Sequence, residues 1–173
     1  RSKDLLNLPP KIIVPEYIDM EDSQAKFYDD LHKGIVEEAD RVEIKTSSLL
    51  GLVTRLRQAA TCPSTLTSNE KITGCKLVRA CELVEEIISN GEKVVIFSTF
   101  KEPLYSLYEM LSKYKPLIAT GDFTDAEVSK SIDAFQQDDS KKIFLATTAK
   151  CGTGVTLTAA SYEIFLDSAW TKA

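Results

Sequence analysis

Lys142–Gly154 reads KIFLATTAKCGTG, and the reading of the whole chain turns on it. Ile143 to Thr147 is a short apolar run without polar alternation, the pattern of a strand buried on both faces. The run passes directly into Thr147-Thr148-Ala149-Lys150-Cys151-Gly152-Thr153-Gly154. Hydroxyls and glycines at the end of a buried strand let backbone N–H groups approach a phosphate closely. The same residues also suit a plain tight strand-to-helix turn, and the pattern alone leaves both readings open. It is not a dinucleotide fingerprint, because the third glycine position of GxGxxG is Leu157, and GxxxxGK[ST] occurs nowhere in the chain.

Three more apolar runs surround this one. Lys93 to Ser98 is KVVIFS, Lys115 to Thr120 is KPLIAT, and Glu163 to Asp167 is EIFLD. Between them lie helical patterns. One covers about Lys76 to Ser89 and stops at Asn90-Gly91, a left-handed cap signal. Another carries Pro103 in its first turn. A third is capped by Thr124 and runs to about Gln137. Fully apolar strands alternating with helices predict an α/β fold, a parallel sheet flanked by helices. Ligands of such sheets sit outside the C-terminal strand ends. Here those ends are Ser98-Thr99, Thr120-Gly121, Thr147 to Gly154 and Asp167 to Trp170.

The first part reads differently. Lys11 to Asp19 has the composition of an edge strand interrupted by Pro15. A helix capped by Asp22 or Ser23 runs to about Asp40, with Phe27, Leu31, Ile35 and Val36 at helical spacing. A second covers about Ser47 to Ala60 and stops before Cys62-Pro63, and Ser64 to Gly74 is a polar connection. The expected organisation is one structural domain: a strand and helical insertion over residues 1–73, and an α/β core over 74–173. The polar start, RSKDLLNLPP, has no initiator Met and reads as internal to a longer polypeptide.

With 173 residues, 43% of them hydrophobic, the chain can bury a core. No apolar run approaches the roughly 20 residues of a membrane span. The net charge of −5 argues against a compact basic nucleic-acid module. The imbalance is local, however: Glu16 to Glu43 holds ten acids against three Lys/Arg, and the rest of the chain 16 against 18. Cys62, Cys75, Cys81 and Cys151 show no CxxC spacing, so structural zinc is not expected and free thiols are.

Other candidates are weaker. Glu163 to Asp167 superficially resembles an acidic magnesium strand; without a P-loop, Asp167 is better read as capping the turn that follows it. Trp170, the one tryptophan, is an edge residue or a surface for base or sugar contact. His32 lies on the acidic helix, a solvated face. Arg55 and Arg57 lie two apart and point to different faces; exposed charge is the expectation, with pairing to an acid by one and contact with a phosphate by the other as alternatives. With a single remote histidine there is no catalytic triad.

Read in order, these segments resemble the second RecA-like lobe of Swi/Snf-type ATPases, a branch of the superfamily-two helicases. Arg1 to Tyr28 resembles the stretch leading out of the first lobe, with LPPK and a later Q…Y. Leu56 to Pro63 (LRQAATCP) resembles LRQ-x-x-x-H-P, with Cys62 where His is usual. Lys93 to Phe100 resembles motif IV, Thr147 to Ala160 motif V, and Phe165 to Ala173 (FLDSAWTKA) the D-x-x-W-N-P-A segment.

The resemblance implies the second motor lobe of an ATP-dependent translocase on double-stranded DNA, a bacterial or phage-encoded, cytoplasmic protein. ATP and Mg2+ would be bound mainly by a first RecA-like lobe of the same polypeptide, this lobe's partner. Ser98, Thr99, Thr120, Gly121, Thr147, Thr148 and Trp170 would meet the DNA; Gly152, Thr153 and Gly154 would face the nucleotide. Strand separation is not implied. The family often has Arg where this chain has Val128, and Gly where it has Cys151. The chain stops before motif VI and its arginines, so alone it is expected not to hydrolyse ATP. Two alternatives stand beside this reading: a non-enzymatic α/β binding or scaffold module, and a lobe of a sister helicase family. The LPPK and LRQ segments, typical of Swi/Snf insertions, argue against the second.

Overall fold

The computed structural model describes residues 11–41, 46–67, 72–152, 155 and 157–167. The elements, in chain order, are α1 (Asp22–Arg41), α2 (Thr46–Thr61), α3 (Cys75–Ser89), β1 (Val94–Ser98), α4 (Lys101–Met110), β2 (Leu117–Ala119), α5 (Asp125–Gln137), β3 (Ile143–Thr147), α6 (Thr148–Cys151) and β4 (Tyr162–Phe165). Single 3-10 turns at Pro63–Thr65 and Ser112–Tyr114 follow α2 and α4.

The four strands form one parallel sheet in the order β2-β3-β1-β4. In register, Ser98 pairs with Thr147 and Ala119 with Ala146, so the candidate strand ends line up along one edge. Every residue of β1 and β3 is buried, as their unbroken apolar runs require. Their side chains alternate between two cores. Val94, Ile96, Ile143 and Leu145 face Leu77, Val84, Leu104 and Leu107 of α3 and α4. Val95, Phe97, Phe144 and Ala146 face Val128 and Phe135 of α5. Helices thus cover both faces, and the parallel α/β architecture expected from the strand pattern is the one observed.

Local signals explain the boundaries. After α3, Gly91 adopts φ +83, a conformation natural only to glycine. Its N–H reaches Ile88 O at 2.9 Å and Glu92 N–H reaches Ile87 O at 3.2 Å, a complete Schellman cap. At α5 the Thr124 hydroxyl accepts from Glu127 N–H, and the Glu127 carboxylate accepts from Thr124 N–H at 2.8 Å, a reciprocal capping box.

The insertion is held differently. On α1 the expected apolar positions Phe27, Leu31 and Ile35 are only half-buried and Val36 is exposed, whereas Gln24 is fully buried. Its amide donates to Ala59 O (3.0 Å) and Ala60 O (3.3 Å) at the end of α2 and accepts from Cys75 N–H (2.8 Å) at the start of α3. One polar side chain therefore joins three helices.

Lys11 to Asp19 is a correction: it forms no strand. Ile12, Ile13, Val14 and Tyr17 are 70% exposed or more. The segment is tied to the rest by charge, Lys11 to Glu163 at 4.0 Å and Glu16 to Arg79 at 3.3 Å. A strand needs a ladder partner as well as β-forming residues, and Pro15 brings no N–H to one.

Candidate functional site

The four parallel strands end at one edge, and the polar residues that follow them meet there. Asp167, just beyond β4, is the centre of the best-connected group. Its carboxylate accepts from Ser98 Oγ at 2.5 Å, from Thr99 N–H at 3.0 and 3.2 Å, and from Thr99 Oγ1. Arg57 of α2 reaches the same carboxylate at 3.4 Å and lies over the Phe100 ring, 5.3 Å from its centre. The side chain of Asp167 is 4% exposed, so these donors replace the water that such a charge would otherwise require. The turn that Asp167 is expected to cap lies outside the described residues; the carboxylate instead holds the loop after β1 and joins it to the helical insertion. Of the two arginines, Arg57 is the one that meets an acid; Arg55 is exposed.

A second group lies after β2. Thr120 is fully buried, and its hydroxyl lies 3.2 Å from Tyr105 Oη. Gly121 is exposed beside it. The next residue, Asp122, accepts from Lys101 Nζ at 3.0 and 3.1 Å and from Tyr105 Oη at 2.9 Å. The Lys101 ammonium, chiefly, and the Tyr105 hydroxyl hold the Asp122 carboxyl below the usual range.

The third group is the turn after β3. Thr147 is buried in the strand end, while Thr148 begins α6 and is half-buried. Gly152 closes that single turn with its N–H on Thr148 O at 2.8 Å, and a Cβ added there would lie 2.2 Å from the same oxygen. Only glycine fits so close an approach. Cys151 faces inward, and burial pushes its thiol pKa up, which keeps it an uncharged packing group. Lys150 pairs with Asp125 at 2.6 Å. Thr148, Cys151 and Gly152 line a cleft of about 600 Å³ whose apolar wall includes Phe97 and Phe165, stacked 5.2 Å apart.

Of the sequence-predicted residues, Ser98, Thr99, Thr120, Gly121, Thr147, Thr148 and Gly152 all lie along this edge. Thr153, Gly154 and Trp170 lie outside the described residues. Ser98, Thr120 and Thr147 are buried, leaving Thr99, Gly121, Thr148 and Gly152 as the more accessible positions. Sequence reasoning did not find Lys101, Tyr105, Asp122 or the Arg57–Asp167 pair as site members. Their partners are up to 110 positions away, and no local pattern marks such pairings. Among the described residues no cluster of His, Cys, Asp and Glu suits a metal ion. Among the described residues the edge brings together the hydroxyls and amides of Ser98, Thr99, Thr120 and Thr148, the cations Arg57 and Lys101, and the carboxylates Asp167 and Asp122 with which those cations pair.

No helix among the described residues is long and apolar enough to cross a membrane. The helicase conserved C-terminal domain family matches residues 76–173. An uncharacterized ATP-dependent helicase of Mycoplasma genitalium is 26% identical over 176 residues, covering 100% of this chain and 17% of its own length. The chain thus spans about a sixth of that relative. The C-terminal domain of the Sulfolobus solfataricus SWI2/SNF2 ATPase has the same fold, with a TM-score of 0.78 and 24% identity over 88% of this chain and 70% of that one. The core of the same ATPase in complex with double-stranded DNA gives 0.77 and 24%, over 87% of this chain and 34% of that one. The chain belongs to the helicase conserved C-terminal domain family.

Proposed function

We propose that this lobe is the second half of an ATP-driven motor that moves along double-stranded DNA, gripping the sugar-phosphate backbone at the C-terminal edge of its sheet. The observation that carries the reading is the alignment of Thr99, Gly121 and Thr148 on one edge, supported from beneath by the buried Ser98, Thr120 and Thr147. Contacts of this kind bind phosphate without reading sequence. They also reconcile a DNA role with the net charge of −5, because neutral donors do the binding. A likeness in fold to an ATPase core solved on double-stranded DNA supports the same ligand.

In this reading Trp170 lies near the DNA groove, and Gly152, Thr153 and Gly154 face the nucleotide. The described residues offer no carboxylate cluster for Mg2+. The metal and most of the ATP contacts would belong to a first RecA-like lobe of the same polypeptide, and this chain alone would not turn over ATP. Closure and reopening of the two lobes would alternate the grip on DNA.

The test is ATP hydrolysis by the full-length parent at low salt, with and without duplex DNA. Strong stimulation by duplex, lost or reduced at least several-fold by Thr148→Ala, is the expected result. A folded parent with no turnover in either condition would leave only a binding module.

A further inference from the structure

The group after β2 has the form of an occupied anion seat. Lys101 Nζ faces both oxygens of Asp122, at 3.0 and 3.1 Å. Tyr105 Oη and Thr120 Oγ1 approach Oδ2 at 2.9 and 3.5 Å. The ammonium and Tyr105 come from α4, which starts three residues after β1 ends; Thr120 and Asp122 follow β2. The seat is therefore built between two strand ends, beside Thr99 and Gly121, which are among the proposed backbone contacts. A carboxylate and a phosphodiester both present two oxygens sharing one negative charge, so donors arranged for one suit the other.

The Asp122 carboxylate is also easy to displace. Its side chain is 47% exposed and that of Lys101 is 48% exposed. Exposed ion pairs contribute little to stability, so an incoming anion faces little resistance, and fold stability is a weak reason for the pair. Thr120, in contrast, is fully buried and fixed, which keeps the seat in shape when the carboxylate swings out.

We infer that Lys101, Tyr105 and Thr120 form a seat for one backbone phosphate of DNA, and that Asp122 occupies it as an internal stand-in until DNA displaces it. The inference rests on the duplex-DNA reading above and goes beyond it in two ways. It adds Lys101 and Tyr105 to the interface, and it makes Asp122 a residue that weakens binding. An occupant of the same charge lowers affinity without changing the number of contacts finally made, which favours release after each step over tight holding.

The test uses the full-length parent and a short mixed-sequence duplex, titrated between about 50 and 200 mM salt. Asp122→Ala should tighten duplex binding about 3- to 10-fold at each salt concentration and leave the slope of log K against log salt unchanged, because the same phosphate is neutralised in both proteins. Lys101→Met should weaken binding in the wild-type protein and cancel the gain in the Asp122→Ala background. Tyr105→Phe should weaken it less. ATP affinity, measured separately, should not change, which distinguishes a DNA phosphate from a nucleotide phosphate. Asp122→Asn serves if the alanine variant loses its cooperative unfolding transition, and should shift binding in the same direction. Unchanged or weaker duplex binding in both Asp122 variants, or a change in ATP affinity alone, overturns the seat. If wild-type parent binds duplex and Thr148→Ala weakens it while Lys101→Met has no effect, only the seat falls. If wild-type parent does not bind duplex at low salt, the DNA reading itself falls and takes the seat with it.

Discussion

Gln24 is buried because three backbone groups need it. The last carbonyls of α2 and the first N–H of α3 have no intrahelical partners, and α3 is preceded by Gly74, whose lack of a side chain leaves it no cap of its own. The Gln24 amide supplies two donors and one acceptor to those positions. Gln24→Leu keeps the size and removes every partner, so it should cost roughly 2–4 kcal/mol of stability. Gln24→Glu should also destabilise, because a carboxylate cannot donate to Ala59 O. Denaturant midpoints of the parent's C-terminal lobe check both, and an unchanged midpoint for the leucine variant would show that water replaces the amide. Asp167 poses the complementary case, a nearly buried charge with donors from β1 and α2. Removing it should be worse than removing its exposed-side partner: Asp167→Ala about 2–4 kcal/mol and Arg57→Ala about 1 kcal/mol or less. A double-mutant cycle between them isolates the pair, and its coupling should be small at the 3.4 Å separation.

At the scale of elements, legibility followed the source of each element's stability. β1 and β3 are buried on both faces, so their sequences could only be apolar, and the strands were plain from composition. The ends of α3 and α5 were plain because Gly91 and Thr124 act within a few residues of themselves. Lys11 to Asp19 was misread for the opposite reason: its residues favour a strand, but a strand is made by the neighbour it pairs with, and none is given by the segment itself. The edge as a location was equally readable, since strand ends of a parallel sheet must share one side. The carboxylate partners on that edge were not, because each ion pair joins a helix to a loop that the sheet order, not the sequence, brings beside it. The α5 cap provides a local check on this distinction. Thr124→Ala should cost about 1 kcal/mol, and it should do so almost independently of salt, because the capping bonds are short-range and within one turn. A loss that disappears in high salt would mean that the charge of Glu127, and not the reciprocal bonding, holds the helix start.

Across the whole molecule, acid stability reports how the charges are arranged. Glu85, Asp122, Asp125, Glu127 and Asp138 all have carboxyls held below their ordinary values. The leading causes are hydrogen bonds from Lys113, Lys101, Lys150, Thr124 and Ser140, respectively. A carboxyl depressed in the folded state binds fewer protons there than in the unfolded chain, so stability rises with pH through that window. The contribution is complete above the unfolded values, about 3.9 for Asp and 4.3 for Glu, and is lost as pH falls through the folded ones. Stability from this source should therefore be level above about pH 5 and decline below about pH 4. All five groups face solvent, so each loss is small and the decline gradual. Salt divides them, because three answer to lysines on other elements and two to hydroxyls nearby in sequence. About 0.5 M salt should flatten the part owed to Lys113, Lys101 and Lys150 by screening, and leave the part owed to Thr124 and Ser140. Urea midpoints of the lobe across pH 3 to 7, at low and high salt, give the result directly. A decline that high salt removes entirely would mean that the hydroxyl caps contribute nothing. One that salt leaves untouched would mean that the lysine pairs, including Lys101 with Asp122, hold no fixed geometry in solution, and would undercut the anion seat built on it.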